Sequence, residues 1–250
     1  MINRLCLTTI LMMTVACSNV VMAAESAPLP AHEATYEVLR HGKKVGELEV
    51  SLEQLDSGVW YYRSDTRATA WWAKALNVSA EEAAHFTWRG NHIRMLTYHH
   101  AQQAPANNRY FQHQADWQTG TTQVRTEKGE KTVELTDQLV DPLSLRLQLA
   151  VNLSSPQKRH GSHDFDLIDR NEVKHARYMY DGSETLELPA GCFETVRIRR
   201  DEKPGSDKVN LSWHAADFHW MPVRILQRRG GKDRLDIRLV SSSLPLKDCS

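Results

Sequence analysis

The stretch LSWHAADFHWMPVRI, Leu211 to Ile225, gathers His, Asp, Trp and Pro within one short run. Two chemistries come to mind. His214 and Asp217 could form a base with its orienting acid, and His214 with His219 could hold a metal. Alternation argues against both. Leu211, Trp213 and Ala215 fall on one side of an extended chain, and Ser212 and His214 on the other. Ala216-Asp217 then begins a bend, and Pro222 is tolerated at a first strand position. Val223 and Ile225 resume the alternation. The stretch reads as a strand, a corner and a strand, with no catalytic pair.

The other reactive residues are as dispersed. Of the 12 His, only His99 and His100 are adjacent, and on a strand they point to opposite faces. No HExxH or CxxC spacing is present, so no metal site is expected. There is no G-x-S-x-G and no phosphate-cradling glycine loop. Glu81-Glu82 and Glu47/Glu49 read as solvated strand faces, and Asp164 lies on the face opposite His163. The reading is a protein that is not an enzyme, with no catalytic residue and no cofactor.

Two cysteines remain once the first residues are set aside. MINRLCLTTILMMTVACSNVVMA has a basic Arg4, an apolar run and Val21-Met22-Ala23, the pattern of a secretory signal peptide cleaved near Ala23. The run is too short for a permanent span. A lipoprotein anchored at Cys17 is the alternative, but Thr14 stands where such signals usually carry Leu. Residues 1–23 are thus expected to be a signal peptide, and 24–250 a single β-rich periplasmic domain. Cys192 and Cys249 are then an even pair in an oxidising compartment and the expected disulfide, against the plainer reading of two unrelated thiols.

Charge excludes one class of partner. The chain has 31 basic and 31 acidic residues, and removal of residues 1–23 takes away only Arg4, leaving 30 − 31 = −1. A near-neutral chain has no electrostatic reason to bind nucleic acid. Nothing beyond the signal approaches the length of a membrane-spanning helix.

The elements that must position any site are mostly strands. Leu48, Val50 and Leu52 alternate with Glu47, Glu49 and Glu53, the period of a half-buried strand. His41-Gly42-Lys43-Lys44 is a hairpin turn before it. VWYYRSDTRATA, HFTWRGNHIRMLTYHH, RYFQHQADW, TTQVRTEKGEKTVEL, ETVRIRR, KVNLSWHA, MPVRILQ and DRLDIRLV continue the pattern between turn clusters. PQKRHGSH, Pro156 to His163, looks like an exposed connection. Two segments depart from it. AWWAKALNV places Trp71, Ala75 and Val78 on one helical face. DPLSLRLQLAVNL alternates Leu like a strand, yet Asp141-Pro142 is a strong helix start, and the residues are good helix formers. The fold class is mainly β: a curled antiparallel sheet or β-barrel with one or two short helices.

Aromatic residues are the remaining signal. Trp60, Tyr62, Trp71, Trp72, Trp88, Trp117, Trp213 and Trp220 lie on or beside strands. They could fill a barrel or line an apolar ligand cavity. The expected concave face comprises Trp60, Tyr62, Leu211, Trp213, Val223 and Ile225, together with Leu48, Val50 and Leu52.

The order of several stretches resembles the bacterial exported family known as domain of unknown function 3108. They are TYEVLRHGKKVGELEVSLEQL, YYRSDTRATAWWAKAL, VDPLSLRLQL, ETLELPAGCFETVRIRR and SWHAADFHWMPVRI. The resemblance implies no chemistry. A Trp-bearing strand, a short turn and PVRI are also similar to periplasmic lipoprotein carriers, which curl a sheet around a helix and hold acyl chains; DPLSLRLQLAVNL would supply that helix. The expectation is a non-catalytic periplasmic protein whose partner is a lipid or other apolar ligand. The alternatives are a solid-cored interaction module with an envelope protein partner, or a hydrolase.

Overall fold

The computed structural model describes residues 27–105, 108–247 and 249. The expected cleavage site near Ala23 and the alternative anchor Cys17 lie outside the described residues. The strands are β1 (His32–Arg40), β2 (Lys43–Gln54), β3 (Trp60–Ala68), β4 (Ser79–Arg89), β5 (His92–Gln103), β6 (Arg109–Asp116), β7 (Thr121–Thr126) and β8 (Gly129–Glu134). They continue as β9 (Leu139–Val140), β10 (Ser162–Asp169), β11 (Glu172–Leu188), β12 (Gly191–Arg200), β13 (Lys208–Ala215), β14 (Pro222–Arg229) and β15 (Lys232–Ser242). A short helix α1 (Trp71–Ala75) joins β3 to β4, and α2 (Ser144–Ser154) joins β9 to β10.

All 15 strands form one sheet in the order β8-β7-β6-β5-β4-β3-β2-β1-β15-β14-β13-β12-β11-β10-β9. Among the described residues only the β9–β10 pair is parallel. The sheet curls but is not closed into a barrel, so of the two sequence alternatives the curled sheet is the one found. Bulges at Val38/Leu39, His85/Phe86, Tyr180/Gly182 and Trp213/His214 add twist where the sheet must bend. Gly182, at φ +127°, takes a conformation that L side chains rarely adopt. At Gly46 the constraint is closeness instead: a Cβ there would sit 2.7 Å from the Arg67 carbonyl oxygen of β3.

The two ends of the sheet meet through side chains instead of a ladder. Met95, Val124, Leu135, Leu139 and Ile168 form one buried cluster across the seam. His113 Nε2 donates to the Arg170 carbonyl at 2.9 Å, and Lys131 Nζ donates to the Asn171 carbonyl at 3.2 Å. The free edge at β8 carries exposed Glu130, Lys131 and Glu134, charges that discourage pairing with another chain.

Helix α2 plugs the curl. Asp141 Oδ1 accepts from the backbone N–H of Leu143 and Ser144, and Oδ2 accepts from Ser144 Oγ at 2.6 Å. The Asp141 carbonyl takes the first helical bond, from Leu145 N. Capping thus begins where Asp141-Pro142 predicts it, a turn before the regular helix. Leu143, Leu147 and Val151 pack into the larger core, and Leu145, Leu149 and Leu153 into the second. A helix apolar on both stripes belongs inside a protein. Gln148 reaches the wall, accepting from Ile93 N and donating to the Asn91 carbonyl, both at 2.8 Å. Arg159 Nε closes the far end on the Leu153 carbonyl, with its guanidinium 4.0 Å from the Trp220 ring centre.

The second helical segment is shorter than its sequence pattern suggests. Only Trp71–Ala75 is helical, and Trp71 is 81% exposed, so its predicted face covers no core. Pro156 to His163 forms the turn from α2 into β10, and His163 itself is buried.

Candidate functional site

A cavity of about 400 Å³ lies between α2 and the concave face of the sheet. Leu145, Arg146 and Leu149 border it from the helix; Leu48, Ser64, Thr66 and Glu82 from one side of the sheet; Leu167, Tyr178, Arg200, Ser212, His214, Ile225 and Ile237 from the other. A larger depression of about 580 Å³ opens on the convex face, where Arg63 pairs with Asp65 and Glu81. A concave site with apolar walls and a few converging polar groups is the usual form of a ligand site, and of the four described the space beside α2 has the most aliphatic lining residues.

Strand register decides which predicted residues reach it. On β3, Trp60 pairs with Gln54 and Phe86, and Tyr62 with Leu52 and Ala84, so both face inward with Leu48, Val50 and Leu52. Trp60 and Tyr62 are buried in the core cluster and do not border the cavity. Ile225 pairs with Ser212 and Ile237, all three on the cavity wall. Trp213 pairs with Arg224 and Leu211 with Leu226. These two therefore lie on the face opposite Ile225 and Val223, which corrects the single concave set expected from alternation. A one-residue difference in register carries a side chain to the other face, and sequence alone does not fix that register. Leu211 still borders the cavity, while Val223 is fully buried in the core. Trp213 instead packs under Arg224, 4.9 Å from its ring centre, and donates from Nε1 to Glu184 Oε1 at 2.7 Å.

Glu82 also departs from its sequence reading. It is no solvated acid: Arg146 Nη2 donates to its Oε2 at 2.9 Å, and Tyr98 Oη donates to Oε1 at 2.8 Å. Burial alone would raise the Glu82 carboxyl, but Arg146, with Tyr98 and His100 beside it, brings it down to about 2. His100 Nδ1 is 3.6 Å from Oε1, too long for a hydrogen bond. Glu81, its neighbour, faces out as expected, near Arg63.

Ser212 and His214 form the one arrangement in the cavity with the order of a nucleophile and base. His214 Nδ1 lies 2.7 Å from the Trp220 carbonyl, which can only accept, so Nδ1 carries the proton and Nε2 accepts from Ser212 Oγ at 2.8 Å. Burial, however, pushes His214 down to about 4, and its third partner is a neutral carbonyl instead of a carboxylate. A base poised near neutrality is what general-base catalysis requires. The His214 bond ties β13 to the following corner, where His219 and Trp220 hold left-handed φ values of 50° and 62°. Asp217 turns away to Lys247 at 2.9 Å, so His214 and Asp217 are not paired. Among the described residues, no three His, Cys, Asp or Glu come together as a metal-binding group.

Cys192 and Cys249 lie at bonding distance, with Cα atoms 4.9 Å apart. The bond fastens the C-terminal tail to the start of β12, at the end of that strand away from Arg200. No helix among the described residues is long and apolar enough to cross a membrane.

The fold and cavity define a class: a helix-plugged, curled antiparallel sheet with an interior space. Within that class, the chain belongs to the DUF3108 family of proteins of unknown function, whose model matches residues 32–232. Among solved structures it is similar to the β-barrel-like protein of domain of unknown function DUF1849 from Brucella abortus, with TM-score 0.55 and 10% identity over 86% of this chain and 98% of that one. A protein with a YmcC-like fold from Bacteroides fragilis is more distant, with TM-score 0.38 and 11% identity over 85% of this chain and 95% of that one. No curated protein matches the chain.

Proposed function

We propose that this protein is exported to the periplasm and binds an apolar or amphiphilic ligand in the interior cavity without transforming it. One observation carries the reading: a space of about 400 Å³ whose lining is divided equally between polar residues and apolar ones, Leu145, Leu149, Leu167, Ile225 and Ile237 among the latter, the make-up of an amphiphile site. The leucine and isoleucine side fits an alkyl chain. Export is supported by Arg4, the apolar run after it and Val21-Met22-Ala23, and by the Cys192–Cys249 pair. The absence of catalysis is supported by the low basicity of His214 and the carbonyl behind it.

The test is native mass spectrometry of protein purified from the periplasm, with organic extraction of whatever it carries. A co-purifying amphiphile that is lost in Leu149→Trp, which fills the cavity, is the expected result. Clean apo protein that takes up no added alkyl ligand overturns the reading. Ester hydrolysis that disappears in Ser212→Ala overturns its non-catalytic part.

A second reading has its own observation. Trp71, Trp72 and Leu76 are exposed around α1, as on an interaction module that docks an envelope protein. Apo protein that instead co-purifies with a partner through α1 favours that reading.

A further inference from the structure

Polar and apolar residues are not mixed at random on the cavity wall. The ladders set them in rows across the sheet. One row runs Ile198, Ser212, Ile225, Ile237 and Val38 through successive strand partners. Tyr178 pairs with Arg200 on β11 and β12, and Asn210 pairs with Gln227 on β13 and β14. Arg199 pairs with Leu211, so Arg200 and Asn210 adjoin on neighbouring strands. These four form the next row, which ends in Leu235 as the partner of Gln227 on β15, toward the strand ends of the rim, and all five border the cavity.

The charges in the lining do not balance. Its charged residues are Glu82, Arg146 and Arg200. Arg146 is committed to Glu82 at 2.9 Å. Arg200 Nε forms a long ion pair, at 3.9 Å and beyond hydrogen-bond length, with Oε1 of Glu202 just outside the lining, and that same oxygen already accepts from Asn210 Nδ2. Among the described residues the Arg200 guanidinium donates no hydrogen bond. An arginine fork with open donors at the rim of an apolar cavity suits a carboxylate or a phosphate monoester.

We infer that the ligand is a single-chain amphiphile with an anionic head, the head held by Arg200 in the row with Tyr178, Asn210 and Gln227, and the chain lying between the Ile225 row and Leu145 and Leu149 of α2. The inference rests on the cavity being a ligand site, as proposed above. At about 400 Å³ the space is near the low end of ligand pockets, roughly 300–1,000 Å³, which suits one chain and not two.

The test compares laurate, dodecan-1-ol and dodecyltrimethylammonium, equal chains with anionic, neutral and cationic heads, titrated below their aggregation limits. Laurate should bind about tenfold more tightly than dodecan-1-ol, with the cation weakest. Arg200→Gln should abolish the laurate preference and leave dodecan-1-ol unchanged, and Arg200→Lys should keep part of it. An unchanged melting temperature for both variants shows that the fold survives. Equal binding of laurate and dodecan-1-ol, or a preference that survives Arg200→Gln, overturns the head-group assignment while leaving the cavity as a ligand site. Failure of all three probes to bind overturns both.

Discussion

Arg146 of the plug helix and Glu82 of β4 meet at 2.9 Å, and this ion pair, with the Gln148 bonds to Asn91 and Ile93, fastens the helix to the sheet wall. Glu82 keeps only 15% of its side-chain surface exposed, and Arg146 31%, at the edge of the cavity. Removing one partner of a buried pair strands the other, at a cost of about 3–5 kcal/mol. Arg146 still touches cavity solvent, so Glu82→Gln should cost about 3 kcal/mol, the lower end of that range, read from urea denaturation. A loss under about 0.5 kcal/mol, the scatter of ordinary surface substitutions, would mean the pair does not hold the plug.

The same pair predicts an acid transition. Glu82 is held at about 2 in the folded protein against an ordinary 4.5. A depressed carboxylate stabilises the fold fully above the unfolded value, and the contribution is lost as pH falls toward the folded one. The stability difference between the parent and Glu82→Gln should therefore be constant above about pH 5 and shrink between pH 4.5 and about 2. Denaturation midpoints across that window check it; a difference that persists at pH 2 contradicts the assignment.

Asp141 shifts in the opposite sense. Burial lifts it to about 6 from an ordinary 3.8, against the hydrogen bonds from Ser144 and Leu143. A raised carboxyl penalises the fold when ionised, and the penalty is relieved as pH falls from about 6 toward 3.8. Relative to Asp141→Asn, whose amide oxygen still caps but does not titrate, the parent should gain stability across that window. At neutral pH, Asp141→Ala should cost about 2 kcal/mol, the upper end for a lost N-cap, and Asp141→Asn less. Far-ultraviolet circular dichroism and chemical denaturation decide both; equal costs for Ala and Asn would show that the cap accepts no useful bond.

Much of this was legible in the sequence. Alternation in β2, β3, β13 and β14 announced the sheet, and Asp141-Pro142 announced α2. Leu143, Leu145, Leu147 and Leu149 looked strand-like because a helix buried on both sides carries two i,i+4 stripes, and their superposition mimics a period of two. Strand β11 was not announced: Asp181-Gly182-Ser183 carries turn chemistry, yet in the structure it is a bulge inside a strand from Glu172 to Leu188. The cavity was legible only in part: Leu48, Leu211 and Ile225 of the expected concave face border it, and its polar lining was not foreseen. Glu82 and Arg146 are 64 residues apart, and Arg200 looks like any surface arginine until the ladders place Tyr178 beside it. Such sites depend on long-range register, which local patterns do not carry.

The Cys192–Cys249 bond should stabilise the domain. It closes a loop with a sequence separation of 57, for which the chain-entropy model gives roughly 4 kcal/mol as an upper figure. Cys249→Ser should lower stability by about 2–4 kcal/mol under non-reducing conditions. Free-thiol titration of the unreduced parent should find no reactive thiol in the mature chain. Two reactive thiols, or a variant as stable as the parent, would remove the bond from the account.

Trp213 separates packing from ligand binding. It is 4% exposed, yet it lies on the face opposite Ile225, under Arg224 and bonded to Glu184. Its truncation leaves a void and removes one of two donors to Glu184 Oε1, Arg197 Nη1 at 2.8 Å remaining; buried Trp→Ala changes cost about 3–5 kcal/mol. Trp213→Ala should therefore lower the denaturation midpoint strongly while leaving alkyl-ligand affinity within about twofold, an effect under ~0.5 kcal/mol. Leu149→Trp should do the reverse: the added ring occupies the cavity, affinity falls at least tenfold, about 1.4 kcal/mol, and stability changes less than in Trp213→Ala. Titrating both variants with laurate at a temperature where each is folded, alongside urea melts, gives the two-by-two comparison. If Trp213→Ala lost affinity and kept stability, its ring would have to line the cavity, and the register that pairs it with Arg224 would be wrong.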